Sequence, residues 1–170
     1  MDEIFRRGTC RYFKEKTPVP DEELLTLVKA GMQARAVGNQ KSRDFIIVTR
    51  EDLVKAISHN SIIAGPARKA SAAIVIVGKK DGISFPEEWT FDCAAAAQNI
   101  LIEAEHLGLS TLWMQVYPYQ DRKVHLDHIL DIPDELDPFC IIAVGYADKK
   151  PVRLNRYDPD AVFLDLYGSH

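Results

Sequence analysis

The sequence has few cysteines, and their spacing excludes the usual cysteine-built structures. Cys10, Cys93 and Cys140 lie far apart, without the short paired spacings of a zinc site or the density of a disulfide framework. We expect three reduced, structural thiols. Neighbouring arginines would lower the pKa of the Cys10 thiol, which leaves a reactive cysteine as the alternative. No base is evident beside it, which favours the structural role.

The sequence also has neither a long apolar run nor an excess of positive charge. No segment predicts a membrane span, and the charged first residues differ from a signal peptide, so we expect a cytoplasmic protein. The formal net charge of −4 argues against nucleic-acid binding, which normally needs a basic surplus. With 170 residues and 46% hydrophobic content, the chain predicts one domain over 1–170. A C-terminal tail begins at about residue 147, and we expect it to wrap around something.

Positive charge is concentrated in the opening segment Arg6-Arg7-Gly8-Thr9-Cys10-Arg11. If this segment is extended, the side chains of Arg7, Thr9 and Arg11 project on the same side, and Gly8 leaves its backbone N–H open to a ligand. Two guanidinium groups and a hydroxyl would then converge on one anion. From spacing alone, a solvated basic edge explains the segment equally well.

Helical and strand patterns alternate along the chain without internal repeats. The spacing predicts helices over 21–32, 51–58, 89–106 and 122–130, and strands over 45–48, 72–77, 109–116 and 138–146. The 72–77 run is apolar throughout, as in a strand covered on both faces. This order predicts an α/β or α+β sandwich around one sheet. The 89–106 helix is apolar around most of its circumference, which favours a homodimer with this helix near the interface.

Two other motifs are weak. His125 and His128 lie three residues apart on a predicted helix, with Asp121 or Asp127 nearby, but no second ligand cluster accompanies them. A solvated helix face therefore explains them better than a metal site, and we predict no metal. The glycines and lysines of residues 78–82 depart from the phosphate-binding loop pattern and predict a turn.

Four segments, in order, resemble the nitroreductase-like flavoproteins. In that family an Arg-x-Ser-x-Arg/Lys-x-Phe pattern holds the phosphate and ribityl of FMN, and residues 7–13 match it with Thr9 in place of serine. Residues 92–118 resemble the family's buried helix and the strand after it, and residues 139–146 resemble its final strand. A basic residue near the C-terminus closes on the phosphate in the family, and Arg156 matches it, with Arg153 as the competitor.

The loop over residues 34–45 matches the family less closely. It keeps Asn39 and Phe45, whereas the family's Pro, Ser, Gln, Pro and Trp are replaced here by Arg35, Ala36, Lys41, Ser42 and Arg43. In the family this loop lies against the flavin and shapes the substrate side. The extra positive charge would either block the usual aromatic acceptor or recruit an acidic one.

The resemblance implies both a fold and an activity. The fold is α+β, a nitroreductase-like three-layer sandwich with a central, mostly antiparallel sheet flanked by helices and FMN at a homodimer interface. The activity is transfer of reducing equivalents from NADH or NADPH through FMN to a small nitroaromatic or quinone-like acceptor, in a ping-pong cycle. It implies no catalytic side chain, because the flavin carries the chemistry. The implied cofactor-binding residues are Arg7, Gly8, Thr9, Arg11, Arg35, Ala36, Asn39, Met114, Gln115 and Arg156.

Alternatives to these assignments stay open. Core filling is the more common role for a methionine at a strand end, and it competes with flavin contact for Met114. A flavin-binding or sensing protein of the same fold with little turnover is the alternative function. A structural dimer with a vacant cleft is a third, weaker one.

Overall fold

The computed structural model describes residues 2–60 and 62–168. The α-helices are α1 Glu3–Arg6, α2 Asp21–Met32, α3 Glu51–Ile57, α4 Trp89–His106 and α5 Gln120–Leu130. The strands are β1 Arg43–Val48, β2 Ala72–Lys79, β3 Ser110–Gln115 and β4 Leu136–Gly145. Short 3₁₀ turns cover Val37–Asn39, Ser58–Asn60, Ile62–Lys69, Pro86–Glu88 and Pro159–Ala161. The predicted long elements are therefore confirmed, whereas α1 and most of the 3₁₀ turns were not predicted.

The four strands form one antiparallel sheet in the order β1-β2-β4-β3. The central strand β2 is buried at seven of its eight positions, as its unbroken apolar run predicts. Alternate β2 residues belong to two different hydrophobic clusters, one on each face of the sheet. The cluster with Ile74 and Ile76 packs against α2 and α4, and the cluster with Val75 contains residues of α3 and α5. The structure is therefore the predicted α+β three-layer sandwich.

Helix α4 is the central packing element of one layer. Its Cys93, Ala96, Ala97, Ile100 and Ala104 have no exposed surface. The helix is not buried all round, however, because Phe91 is 67% exposed and Gln98 is also exposed. Among the described residues, no helix is long and apolar enough to cross a membrane.

The segment before α2 pairs with β3 and with the residues that follow β4. Thr9 forms a parallel bridge with Thr111, and Phe13 forms an antiparallel bridge with Ala147. Two backbone bonds of 2.8 Å strengthen this pairing, from Lys14 N–H to the Tyr146 carbonyl and from Asp148 N–H to the Tyr12 carbonyl. Over residues 149–168 the backbone is regular only at the 3₁₀ turn, and most side chains are exposed. The division into a single domain over 1–170 with an extended C-terminal tail from about residue 147 stays a prediction.

Candidate functional site

A cavity of about 1120 Å³ lies between the N-terminal segment and residues 149–157. We refer to it as the basic cavity. It brings together five of the predicted cofactor-binding residues, and its full lining is Ile4, Phe5, Arg7, Gly8, Thr9, Arg11, Tyr12, Gln98, Lys149, Lys150, Pro151, Val152, Arg153, Leu154, Asn155, Arg156 and Tyr157. Both Arg153 and Arg156 are present, so either of them can reach a ligand there.

The charge of the basic cavity is entirely positive. Six of its 17 lining residues are arginine or lysine, and none of them is acidic. The Nε of Arg7 is also buried without a hydrogen-bond partner among the described residues. A buried donor without a partner is costly, and a charged one more so, which an anionic ligand would relieve. The cavity therefore suits a phosphate or another multiply charged anion.

The local fold explains why the opening residues line this cavity. Cys10 donates its N–H to the Thr111 carbonyl at 2.8 Å, and its side chain is fully buried. Thr9 and Arg11, its neighbours on either side, both line the cavity. At Gly8, a Cβ would lie 2.5 Å from the Cβ of Pro151. The absence of a side chain at Gly8 thus allows the chain after β4 to pack closely against the N-terminal segment.

A second cavity, of about 470 Å³, lies beside the loop that follows α2. We refer to it as the loop cavity. Two more of the predicted residues, Ala36 and Asn39, line it, and its full lining is Met32, Ala34, Ala36, Asn39, Gln40, Lys41, Arg43, Asp44, Phe45 and Lys79. The two cavities have no lining residue in common.

The buried carboxylate of Asp92 holds the loop beside this cavity. Asp92 is 2% exposed and accepts three hydrogen bonds from the loop. The donors are the N–H of Val37 at 3.1 Å, the amide of Gln40 at 2.8 Å and the hydroxyl of Ser42 at 2.6 Å. A buried carboxylate with three donors is well satisfied. The loop is therefore fixed to α4 although its own backbone is irregular.

The backbone of this loop also explains its residue types. Gly38 and Asn39 have φ of 58° and 54°, the left-handed region that glycine and asparagine adopt most readily. The Gln40 side chain also pairs with the backbone of Phe85, accepting from its N–H at 3.0 Å and donating to its carbonyl at 3.2 Å. The loop is thus held from two directions.

Arg43 begins β1 and faces the same loop. Its Nη2 donates to the Ala34 carbonyl at 2.6 Å, whereas its Nη1 is buried and has no hydrogen-bond partner in the described part of the chain. The neighbouring Lys79 is paired with Asp44, with 2.7 Å between Nζ and Oδ1. The loop cavity therefore contains one internally neutralised pair and an arginine whose guanidinium is only partly bonded.

Three predicted residues line neither cavity. Arg35 is exposed on the surface. Met114 is 3% exposed and belongs to the hydrophobic cluster on the α3 and α5 face, the alternative weighed from the sequence. Gln115 is exposed, and its carbonyl accepts from Nη1 of Arg122 at 2.7 Å. In the part of the chain that the structure describes, these three therefore lie outside both cavities, although Arg35 directly precedes Ala36.

The cysteines and histidines have structural surroundings. Burial raises the pKa of the Cys10 thiol, and its Sγ donates to the Tyr12 carbonyl at 3.4 Å, which favours the structural role over an activated thiol. Burial also raises the pKa of Cys93, to about 12, and that of Cys140. Nε2 of His125 lies 3.3 Å from the Ala56 carbonyl. Within 2–60 and 62–168, no group of three or more His, Cys, Asp or Glu side chains could hold a metal ion.

Several lining residues were missed from the sequence. Lys149 and Lys150 add two charges to the basic cavity, and Nζ of Lys149 lies 5.0 Å from the centre of the Tyr12 ring. The signal was the lysine pair directly after the last strand, close to Arg153. Asp92 was assigned only to a helix, because no local pattern reveals which loop a buried carboxylate will meet.

Comparison with known proteins gives one consistent result. The Nitroreductase family model matches residues 59–146. The chain is 31% identical over 168 residues to an Archaeoglobus fulgidus protein with the provisional name NADH dehydrogenase/NAD(P)H nitroreductase, covering 96% of each chain. It is similar to a crystal structure of a Clostridium acetobutylicum protein provisionally named NADH oxidase, with a TM-score of 0.92, 32% identity and coverage of 98% and 100%.

A more distant solved structure has the same fold. It is an FMN-dependent nitroreductase from Clostridium difficile, with a TM-score of 0.89 and 24% identity, covering 98% of this chain and 100% of that one. The family model covers more than half of the sequence, and the archaeal relative is matched over almost its whole length. On this evidence, the chain belongs to the nitroreductase family.

Proposed function

We propose that this protein is an FMN-dependent oxidoreductase that uses NADH or NADPH to reduce a small organic acceptor, nitroaromatic or quinone-like. The observation that carries the proposal is the basic cavity, where the residues of the family's FMN pattern meet the basic residues of the chain's far end. The names of the relatives support it, since they include NAD(P)H nitroreductase and FMN-dependent nitroreductase.

The residues of the basic cavity fit the phosphate and ribityl of FMN. Arg7 and Arg11 supply charged donors, and the partnerless Nε of Arg7 would gain an acceptor. Thr9 supplies a hydroxyl for the ribityl or the phosphate. Arg156 or Arg153 would close on the phosphate from the opposite side. The cavity, at about 1120 Å³, is slightly larger than the usual range for cofactor sites and has room for FMN.

Bound FMN would supply reversible hydride and electron transfer, so no side chain need act as an acid or a base. The protein would bind and orient the cofactor and exclude water around it. Positive charge of the protein beside the flavin ring would also favour the reduced, anionic form of the cofactor. Donor and acceptor would use one site in turn, which is the ping-pong order that the resemblance implies.

A homodimer is part of this proposal because, within one chain, the predicted cofactor-binding residues lie in two separate cavities. Arg7, Thr9 and Arg11 line the basic cavity, whereas Ala36 and Asn39 line the loop cavity. In a two-fold dimer, the basic cavity of one copy can face the loop cavity of its partner. Each FMN would then be held by both subunits, and Ala36 and Asn39 would come from the partner.

Exposed apolar side chains support the same arrangement. Phe5 is 80% exposed and Phe91 67% exposed, and large apolar residues of the tail are similarly open: Val152, Leu154, Val162, Leu164, Leu166 and Tyr167. Apolar surface on this scale is typical of a subunit interface. Phe91 lies on α4, the helix that we expected near the interface.

Purified protein tests the activity directly. We expect it to be yellow, or to become yellow on adding FMN, and its flavin absorbance to bleach under anaerobic conditions when NADH or NADPH is added. A subsequent nitroaromatic or quinone should restore the colour. Protein that cannot be reconstituted with FMN would contradict the proposal.

The alternative function is flavin binding or sensing with little turnover. Arg43 favours it, because it is fixed to the Ala34 carbonyl at a position where the family has tryptophan. In that case the protein would bind FMN tightly, and its absorbance would not bleach with either nicotinamide nucleotide.

A further inference from the structure

The loop cavity carries more positive charge than its own acidic residue can neutralise. Its basic lining residues are Lys41, Arg43 and Lys79, against the single carboxylate of Asp44. Lys79 pairs with that carboxylate, so Lys41 and Arg43 remain as a surplus of two charges. Lys41 is exposed and has no ion-pair or hydrogen-bond partner in the described part of the chain.

Arg43 is held in place but not satisfied. Its Nη2 is fixed by the Ala34 carbonyl at 2.6 Å, which sets the plane of the guanidinium. Its Nη1 has no partner within 2–60 and 62–168, although almost no solvent reaches it. A preoriented guanidinium with one unpartnered nitrogen can donate a single charge-assisted hydrogen bond to an anion such as a carboxylate.

Of the six uncharged lining residues, four are apolar, and Asn39 and Gln40 are polar. The apolar surface is provided by Met32, Ala34, Ala36 and Phe45. A cavity of about 470 Å³ is large enough for a single aromatic ring with one substituent. The combination of apolar walls and surplus charge favours a ligand with a flat apolar body and a negative group.

We propose that the loop cavity is a recognition subsite for the carboxylate of the acceptor, with Arg43 and Lys41 as the residues that determine specificity. The preferred acceptor is thus an aromatic carboxylate rather than a neutral aromatic compound. This inference rests on the proposed function, because the subsite borders the flavin only in the dimer described above. The extra positive charge then selects the acceptor and does not block it.

The test compares para-nitrobenzoate with para-nitrobenzamide, which have nearly the same shape and differ in charge. Binding of each to the FMN-loaded protein is measured by calorimetry without NADH or NADPH, so no turnover occurs. We expect the carboxylate to bind more tightly than the amide. Arg43→Gln should reduce this preference about tenfold, the effect of one charge-assisted hydrogen bond. Lys41→Gln should reduce it about threefold, because exposed charges contribute less.

Arg50→Gln is the matched control, since it removes one positive charge at the other end of β1. Arg50 is exposed, pairs with Asp52 and lines neither cavity, so its substitution should leave the preference unchanged. Lys41 has no described contact to lose, so a normally folded Lys41→Gln variant keeps the test valid if Arg43→Gln destabilises the loop.

The two proposals fail in different ways. Equal affinity for carboxylate and amide, or a preference unchanged in both variants, would overturn the subsite. Steady-state kinetics with NADH or NADPH then give kcat/KM for the same two acceptors. Binding that follows the expected pattern, with a flavin that neither NADH nor NADPH bleaches, would overturn the proposed oxidoreductase activity and leave the subsite supported.

Discussion

Arg11 is an exposed residue whose charge has a specific expected use. It lines the basic cavity and has no described ion pair. If Arg11 binds the FMN phosphate, Arg11→Ala removes a charge-assisted hydrogen bond and weakens FMN binding by about 1.5–3 kcal/mol. The dissociation constant of FMN, measured by fluorescence quenching, should therefore rise at least about tenfold.

Arg50→Ala provides the comparison for Arg11→Ala. It changes the net charge by the same amount at an exposed position away from both cavities. We expect its FMN affinity to match that of the wild type. An Arg11→Ala variant that binds FMN as tightly as Arg50→Ala would remove Arg11 from the site.

Because of Cys93, we expect the free energy of unfolding to fall at alkaline pH. Burial raises the pKa of its thiol from 9.0 to about 12 in the folded state. Below pH 9 the thiol is protonated in both states, and its contribution is complete. Between pH 9 and 12 only the unfolded thiol loses its proton, so the free energy of unfolding falls by up to about 1.4 kcal/mol per pH unit.

Urea unfolding at several pH values checks this prediction. Cys93→Ala loses packing at all pH values, but its free energy of unfolding should fall less steeply above pH 9 than that of the wild type. Cys93 also helps to raise the pKa of Cys140, so its removal lowers that pKa and changes the slope in the same direction. Parallel curves for the two proteins would mean that Cys93 ionises normally in the folded state.

At the level of residues, the sequence predicted positions that depend on local geometry and missed those that depend on distant contacts. Arg7, Thr9 and Arg11 alternate along an extended segment, and all three line one cavity. Met114 and Gln115 were assigned by resemblance alone, and Met114 packs in the core of the α3 and α5 face. The alternating pattern of strand 109–116 shows that two faces differ, but not which helices cover each face, so the surroundings of Met114 could not be predicted.

At the level of elements, strong apolar patterns predicted the structure well. Helix α4 spans the predicted residues 89–106. Apolar residues recur along this whole segment at helical spacing, which favours a helix over a strand. The 3₁₀ turn over residues 62–69 was missed, since it is short and contains Pro66. Turns of this kind depend on tertiary contacts, which a pattern along the chain does not contain.

Asp92 joins two elements, and its removal should affect both. Asp92→Ala would leave the N–H of Val37 and the hydroxyl of Ser42 without their acceptor, and the amide of Gln40 would keep only the Phe85 carbonyl. We expect the free energy of unfolding to fall by on the order of 3 kcal/mol, since each buried, unsatisfied donor is costly. Urea unfolding of the two proteins at neutral pH measures the difference.

Ser42→Ala is the graded comparison for Asp92→Ala. It removes a single donor and leaves the carboxylate with its other two hydrogen bonds, so a loss of about 1 kcal/mol is expected. Two variants with equal, small losses would indicate that the loop does not depend on the Asp92 carboxylate.

At the level of the whole molecule, the exposed apolar residues predict the oligomeric state. Phe91 is 67% exposed in one chain and should be buried in the proposed dimer. Wild-type protein should therefore sediment as a dimer at micromolar concentration. Phe91→Asp should shift the equilibrium toward monomer without unfolding the chain, because a charge at the centre of an apolar interface is unfavourable.

Val124→Asp controls for the added charge in that experiment. Val124 is 58% exposed on α5, which packs on the opposite face of the sheet from α4. We expect this variant to remain dimeric. A monomeric wild-type protein, or equal dissociation of both variants, would contradict an interface at α4.

The pairing of the two ends of the chain also determines when the protein can acquire its cofactor. The basic cavity needs residues 4–12 and residues 149–157, which are separated by more than a hundred positions. During synthesis, the N-terminal arginines emerge long before the lysines and arginines that face them. A nascent chain with a complete sheet core would still lack four of the six positive charges of the basic cavity. If FMN binds there, we expect its insertion to be a late, post-translational step, and a ribosome-bound chain that stops before residue 149 should not retain the flavin.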